Sequence, residues 1–143
     1  MSPARGGRRR LVLYTDGASR GNPGPSGAGV SILDASGEIV AEVVRYLGEA
    51  TNNVAEYSAL VAGLERACEL GATDVQVRSD SELLVRQMRG EYRVRNAALR
   101  TLASRAHKLG ESFEHVEYTH VRREQNREAD RLANLAIDRA ESA

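Results

Sequence analysis

At Thr51 the hydrophobic period of this chain changes, and the change limits the folds open to it. Before that point apolar residues alternate or run in short blocks. RLVLYTDG (10–17) sets Leu11 and Leu13 against Val12 and Tyr14, the pattern of a strand with two largely apolar faces. GAGVSILD from Gly27 and EIVAEVVRYL (38–47) read as a second and a third strand, joined by a DASG turn at 34–37. Short connections make the three an antiparallel meander. After that point, in TNNVAEYSALVAGLERACELGA, the residues Tyr57, Leu60, Val61, Leu64, Ala67 and Cys68 keep i, i+3, i+4 spacing. That spacing predicts a helix with one buried stripe, with Thr51 or Asn52 placed to cap it and Gly71 to end it.

The remainder alternates between the two periods. DVQVRSD (74–80) reads as a strand, SELLVRQMRG (81–90) as a helix, EYRVRN (91–96) as a connector and AALRTLASRAHKLG (97–110) as a helix. FEHVEYTHV (113–121) reads as a fifth strand and NREADRLANLAIDRA (126–140) as the last helix. The order β-β-β-α-β-α-α-β-α predicts an α/β fold, a mixed sheet with helices packed on its faces. A length of 143 residues suits one domain. Residues 10–141 are taken as that domain, behind a basic tail over 1–9 expected to be disordered.

Formal charge is balanced at zero, so the total points to no partner, but its distribution is uneven. Lys108 is the only lysine. Between Arg86 and Lys108 six arginines and that lysine face one acid, Glu91. Arginine forks suit phosphate oxygens, although a solvated helix face reads the same way. The single cysteine, Cys68, excludes an internal disulfide framework and fits a reducing compartment. No apolar run approaches membrane-spanning length, and no secretory pattern follows MSPARGGRRR, so a cytoplasmic protein is expected.

Four carboxylates stand where the chemistry could lie. Asp16 ends the first strand and runs into GASRGNPGPSG, which reads as an irregular loop. Glu56 sits in the first turn of the long helix, Asp80 at the junction of a strand and a helix, and Asp130 in the first turns of the last helix. Each alone has an ordinary explanation, Asp80 as an N-cap and Glu56 or Asp130 as partners of a helix dipole. Together, if the sheet brings them side by side, they would repel by several kcal/mol. A hard divalent cation, Mg²⁺ or Mn²⁺, resolves that repulsion. Carboxylate clusters of this kind hold two ions about 4 Å apart and cleave phosphodiesters.

TDGASRGNPGPSGAG, TNNVAEYSAL, SDSELLVRQ and HVRREQNREADRLAN, in that order, resemble type 1 ribonuclease H over roughly residues 10–140. The resemblance implies the ribonuclease H-like fold, a five-stranded mixed sheet whose first three strands are antiparallel. It implies an endonuclease that cuts the RNA strand of RNA·DNA hybrids with two ions, Mg²⁺ or Mn²⁺, and leaves 5′-phosphate and 3′-hydroxyl ends. The catalytic tetrad maps onto Asp16, Glu56, Asp80 and Asp130. Asn22, Asn52 and the backbone of Gly17, Ala18, Ser19 and Arg20 become candidate readers of the RNA strand, and Thr51 a holder of a DNA phosphate. His120 precedes Asp130 at the spacing of a histidine that in some relatives assists proton transfer or product release. A strand running into Val121 would fix His120 on the sheet instead, which leaves Arg122, Arg123 or Glu124 in its place. Val54 and Glu82 depart from the best-known bacterial pattern, where arginine and glutamine stand. Double-stranded RNA is a second candidate substrate, and a monomer is expected.

Two other classes compete. A resolvase- or integrase-like enzyme on the same fold is disfavoured by the TNNxxE block and the NPGP loop. A binding module with relic carboxylates is disfavoured because all four acids are present.

Overall fold

A computed structural model describes residues 7–143. Three strands come first: β1 (Arg10–Ser19), β2 (Gly24–Leu33) and β3 (Ile39–Ala50). Then follow α1 (Asn52–Glu69), β4 (Asp74–Ser79), α2 (Glu82–Met88), α3 (Ala97–Gly110), β5 (His115–His120) and α4 (Arg127–Glu141). A short 3-10 turn at Arg123–Gln125, not foreseen from the sequence, leads into α4. The sheet order is β3-β2-β1-β4-β5. β1–β2 and β2–β3 pair antiparallel, whereas β1–β4 and β4–β5 pair parallel. The parallel pairs need crossovers, which α1 and the α2–α3 pair supply. The mixed sheet and the element order are those the sequence predicts.

Alternation then sorts side chains between two layers. Leu11, Leu13, Val30, Ile32, Val75 and Val77 are fully buried and pack with Leu60 and Leu64 of α1. α3 packs on α1, while α4 lies across β2 with β1 and β3 beside it. The helices occupy opposite faces: Gly63 of α1 meets Leu13 and Val30, while the adjacent Gly29 meets α4.

The first hairpin differs from expectation. GASRGNPGPSG is mostly strand: β1 continues through Ser19, β2 starts at Gly24, and only residues 20–23 turn. Gly17 pairs with Ala28 and Ser19 with Ser26. Glycine and proline argue against a strand when read locally, but here glycine serves close helix approach. A Cβ on Gly29 would lie 2.2 Å from the Ala129 carbonyl oxygen and 2.4 Å from the Ala133 nitrogen. A Cβ on Gly17 would lie 2.3 Å from the Glu56 nitrogen. These two contacts let α4 and α1 carry Asp130 and Glu56 up to β1. Gly29→Ala is therefore expected to push α4 off the sheet, lowering stability by roughly 1–3 kcal/mol. A thermal melt would register this as a lower Tm, with a loss of activity larger than the melt alone explains.

Most of the tail expected over 1–9 lies outside the described residues. Arg8 and Arg9 are nonetheless tied to the start of β4: Arg8 Nη2 lies 2.7 Å from Asp74 Oδ2, and Arg9 N donates to Thr73 Oγ1 at 2.8 Å.

Candidate active site

Asp16 sits on β1, only 6% exposed, at the centre of the sheet and opposite Gly29 of β2. Glu56 reaches it from α1. It lies beyond the first helical turn, which holds no acid, so the dipole explanation for Glu56 falls away. Glu56 Oε1 instead accepts a hydrogen bond from the Gly17 N–H at 2.6 Å. Asp80 follows β4 directly. It does not cap α2, because Ser81 does: its Oγ accepts from the Leu84 N–H at 3.2 Å. With the cap supplied by its neighbour, the Asp80 carboxylate is free to face β1. Oxygen atoms of Asp16, Glu56 and Asp80 all lie within 4.8 Å of one another.

Asp130 joins them from α4. Asn126, 1% exposed, pins the start of that helix: its Nδ2 donates to the Thr15 carbonyl, one residue before Asp16, at 2.9 Å. Asn134 Nδ2 donates to Asp130 Oδ1 at 3.3 Å one turn on. All four carboxylates line one cavity of about 460 Å³.

The electrostatics are those of buried, crowded like charges. Burial first, and then the charges of Glu56 and Asp80, push the Asp16 pKa from 3.8 up to about 10. Burial pushes Glu56 up to about 7, with the Asp80 charge adding to the rise and the Gly17 N–H and Arg123 opposing it. A buried carboxylate cluster with hard oxygen donors fits a divalent cation, and Asp16, Glu56 and Asp80 form a candidate metal site.

The other sequence-predicted residues divide. Gly17, Ala18, Ser19 and Asn52 line the carboxylate cavity. Asn22, Thr51 and Asn52 line an adjoining cavity of about 400 Å³, so Asn52 borders both. Asn22 Oδ1 accepts from the Asn52 N–H at 3.0 Å, and Thr51, which takes the cap position, accepts from the Val54 N–H at 3.2 Å. Ser19 Oγ lies 2.6 Å from Ser26 Oγ. The Arg20 guanidinium holds Asp138 at 2.7 Å and Glu141 at 2.6 Å on α4, which leaves its backbone as the candidate reader. Glu82 is likewise paired, with Arg86 at 2.9 Å.

His120 ends β5 as an exposed strand residue beside Ser79, and it does not line the carboxylate cavity. Arg123, on the 3-10 turn, does. Asn96 is a wall residue that the sequence reading missed; it lines the second cavity together with Asn22 and Thr51. Its only sequence signal is its place as the cap of α3, where its side chain accepts from the Leu99 N–H.

A mixed five-stranded sheet whose central strand and crossover helix bring acids to one cavity defines a ribonuclease H-like carboxylate nuclease. Comparison with known proteins agrees. The reverse transcriptase-like family matches residues 14–136. Ribonuclease HI of Halobacterium salinarum is 45% identical over 140 residues, covering 98% of this chain and 69% of that protein. The N-terminal RNase H domain of Rv2228c from Mycobacterium tuberculosis, solved as a fusion, superposes with a TM-score of 0.88 at 45% identity, covering 90% of this chain and 99% of that one. This chain spans only 36% of the full-length mycobacterial bifunctional protein. LC11-RNase H1, solved in complex with an RNA/DNA hybrid, gives a TM-score of 0.87 at 43% identity, over 91% of this chain and 98% of that one. The chain belongs to the ribonuclease HI family and is a hydrolase of the endonuclease type. No helix among the described residues is long and apolar enough to cross a membrane.

Proposed function

We propose that residues 10–141 form one catalytic domain that hydrolyses the RNA strand of RNA·DNA hybrids and leaves 5′-phosphate and 3′-hydroxyl ends. The observation that carries this reading is the convergence of Asp16, Glu56 and Asp80 within 4.8 Å, with Asp130 in the same cavity. These four residues would hold two divalent ions, Mg²⁺ or Mn²⁺. Bound there, the ions supply Lewis acidity at the scissile phosphodiester and offset charge on its oxygens.

The chain's own groups do the rest. β1 and the Gly17 N–H hold Asp16 and Glu56 rigid, so little reorganisation is needed when substrate arrives. The backbone at Gly17–Ser19 and the side chain of Asn52 border the cavity and face the RNA strand, where 2′-hydroxyls distinguish RNA from DNA. Asn22 spends its oxygen on α1 and keeps its amide protons for substrate. Thr51 and Asn96, at the second cavity, take a phosphate of the DNA strand. A cytoplasmic location fits this reading, since its one thiol, Cys68, is free, and a monomer is part of the same proposal.

Arg123 is the cation of the carboxylate cavity, so it takes the place considered for His120. Arg123→Ala is expected to lower kcat by about tenfold or more. His120→Ala should stay within about twofold, as for an exposed residue away from the chemistry. The comparison is made at saturating substrate; equal and large losses for both would restore His120 to the reaction.

The substrate class is tested by presenting the same labelled RNA strand paired with DNA and with RNA, beside a DNA·DNA duplex. Preference for the hybrid supports the reading. Equal or greater cleavage of RNA·RNA would make double-stranded RNA the primary substrate, and cleavage of the DNA duplex would point to the resolvase-like class.

A further inference from the structure

α1 and α2 meet through one buried polar contact. Tyr57, 2% exposed, donates its phenol O–H to Oε1 of Gln87, 8% exposed, at 2.7 Å. Gln87 lies on the buried face of α2 with Leu84, Val85 and Met88. A polar side chain there is costly unless hydrogen-bonded, and a leucine would fill the same place without that cost. Packing alone therefore does not account for a glutamine.

The other end of the amide does. Gln87 Nε2 donates to the Arg93 carbonyl at 3.4 Å. Arg93 lies in the segment 91–96 between α2 and α3, which is neither helix nor strand. That segment is anchored at its ends. Glu91 and Tyr92 N–H groups donate to the Arg86 carbonyl at 2.9 and 3.3 Å, and Asn96 accepts from Leu99 N at 3.1 Å. Between these ends, the Gln87 amide makes the only hydrogen bond to residues 93–95 among the described residues. The segment presents Arg93 and Arg95, both exposed and without an acidic partner among the described residues, and it ends at Asn96 on the wall of the second cavity.

We propose that Gln87 and Tyr57 are positioning residues for nucleic-acid binding. The buried amide holds the 91–96 segment so that Arg93, Arg95 and Asn96 stand at the groove, and the tyrosine hydroxyl fixes the amide's orientation. Neither residue lines the carboxylate cavity, so both act on binding rather than on chemistry. The inference rests on the proposed hydrolysis of hybrids.

The test is steady-state cleavage of a labelled hybrid by the whole chain. Removing one partner leaves a buried polar atom unpaired, but removing both is nearly neutral for stability. The double variant Tyr57→Phe/Gln87→Leu should therefore fold, with KM raised about fivefold or more and kcat within about twofold. Tyr57→Phe alone leaves the amide within reach of Arg93 but no longer oriented, so KM should rise by an intermediate amount, about two- to fivefold, while Tm falls. Exposed Arg93→Ala/Arg95→Ala supplies a readout independent of the core: it should raise KM in the wild type and add little in the double variant, because the anchor acts through those arginines. An unchanged KM in the folded double variant, or in Arg93→Ala/Arg95→Ala, overturns the inference and leaves the pair a packing feature. Fully additive effects overturn it as well. Wild-type protein is assayed in parallel; its failure to cut the hybrid would overturn the proposed function itself, whereas wild-type cutting with unchanged variant KM overturns this inference alone.

Discussion

Asp80→Asn is expected to lower the rate of hybrid cleavage by at least about a thousandfold while leaving hybrid binding within a few-fold. The carboxylate contributes charge to the trio of oxygens within 4.8 Å, and asparagine keeps its shape but not its charge. Loss of several kcal/mol of charge stabilisation, at about 1.36 kcal/mol per tenfold, gives that magnitude. The fold should not suffer. Ser81, not Asp80, caps α2, so no helix end is left open. Without divalent ions the variant should even be more stable than the wild type, because the Asp80 charge helps to raise both the Asp16 and the Glu56 pKa. Single-turnover rates, binding by anisotropy and melts in EDTA check the three parts together. A variant that binds weakly and melts early would mean that Asp80 is structural.

The second large effect concerns pH and metal. Burial and neighbouring charge raise Asp16 from 3.8 to about 10 and Glu56 from 4.5 to about 7 in the folded, metal-free protein. A raised carboxyl pKa means the folded state holds protons that the unfolded chain has released. The stability this gives is fully present below the unfolded values and is lost as pH rises, through about 7 for Glu56 and about 10 for Asp16. In EDTA the Tm is therefore expected to fall between about pH 5 and pH 9, by about 5 °C or more. Saturating Mg²⁺ or Mn²⁺ should flatten that fall, since ligand binding to the folded state alone stabilises it most where the carboxylates are ionised. A Tm in EDTA that is level over this range would show that the carboxylates do not crowd one another.

Much of this was legible in the sequence because two hydrophobic periods divide the chain so cleanly. The switch at Thr51, and each later change of period, located every strand and every α-helix among the described residues. The four carboxylates were legible only as a set, since each alone reads as a cap or a dipole partner. What escaped depended on tertiary approach. Gly17 and Gly27 of GASRGNPGPSG look like breakers, and the nearness of α1 and α4 explains why they sit in paired strands. The acidic partners of the Arg20 side chain, 118 and 121 residues away on α4, likewise have no local signal. Asn96 carries no local mark of function, and Arg123 was legible only as one of three candidates, with Arg122 and Glu124. They matter because the α3 cap and the turn before α4 come to rest at the two cavities.

The measurement to make first is cleavage of an end-labelled RNA strand in an RNA·DNA hybrid, by protein stripped with EDTA and then titrated with Mg²⁺ or Mn²⁺. Carboxylates that exist to hold divalent ions predict no cleavage in EDTA, recovery with added ion, and RNA products ending in 5′-phosphate and 3′-hydroxyl. Cleavage that persists in EDTA, or a folded protein that never cuts the hybrid with either ion, would contradict that role for Asp16, Glu56, Asp80 and Asp130.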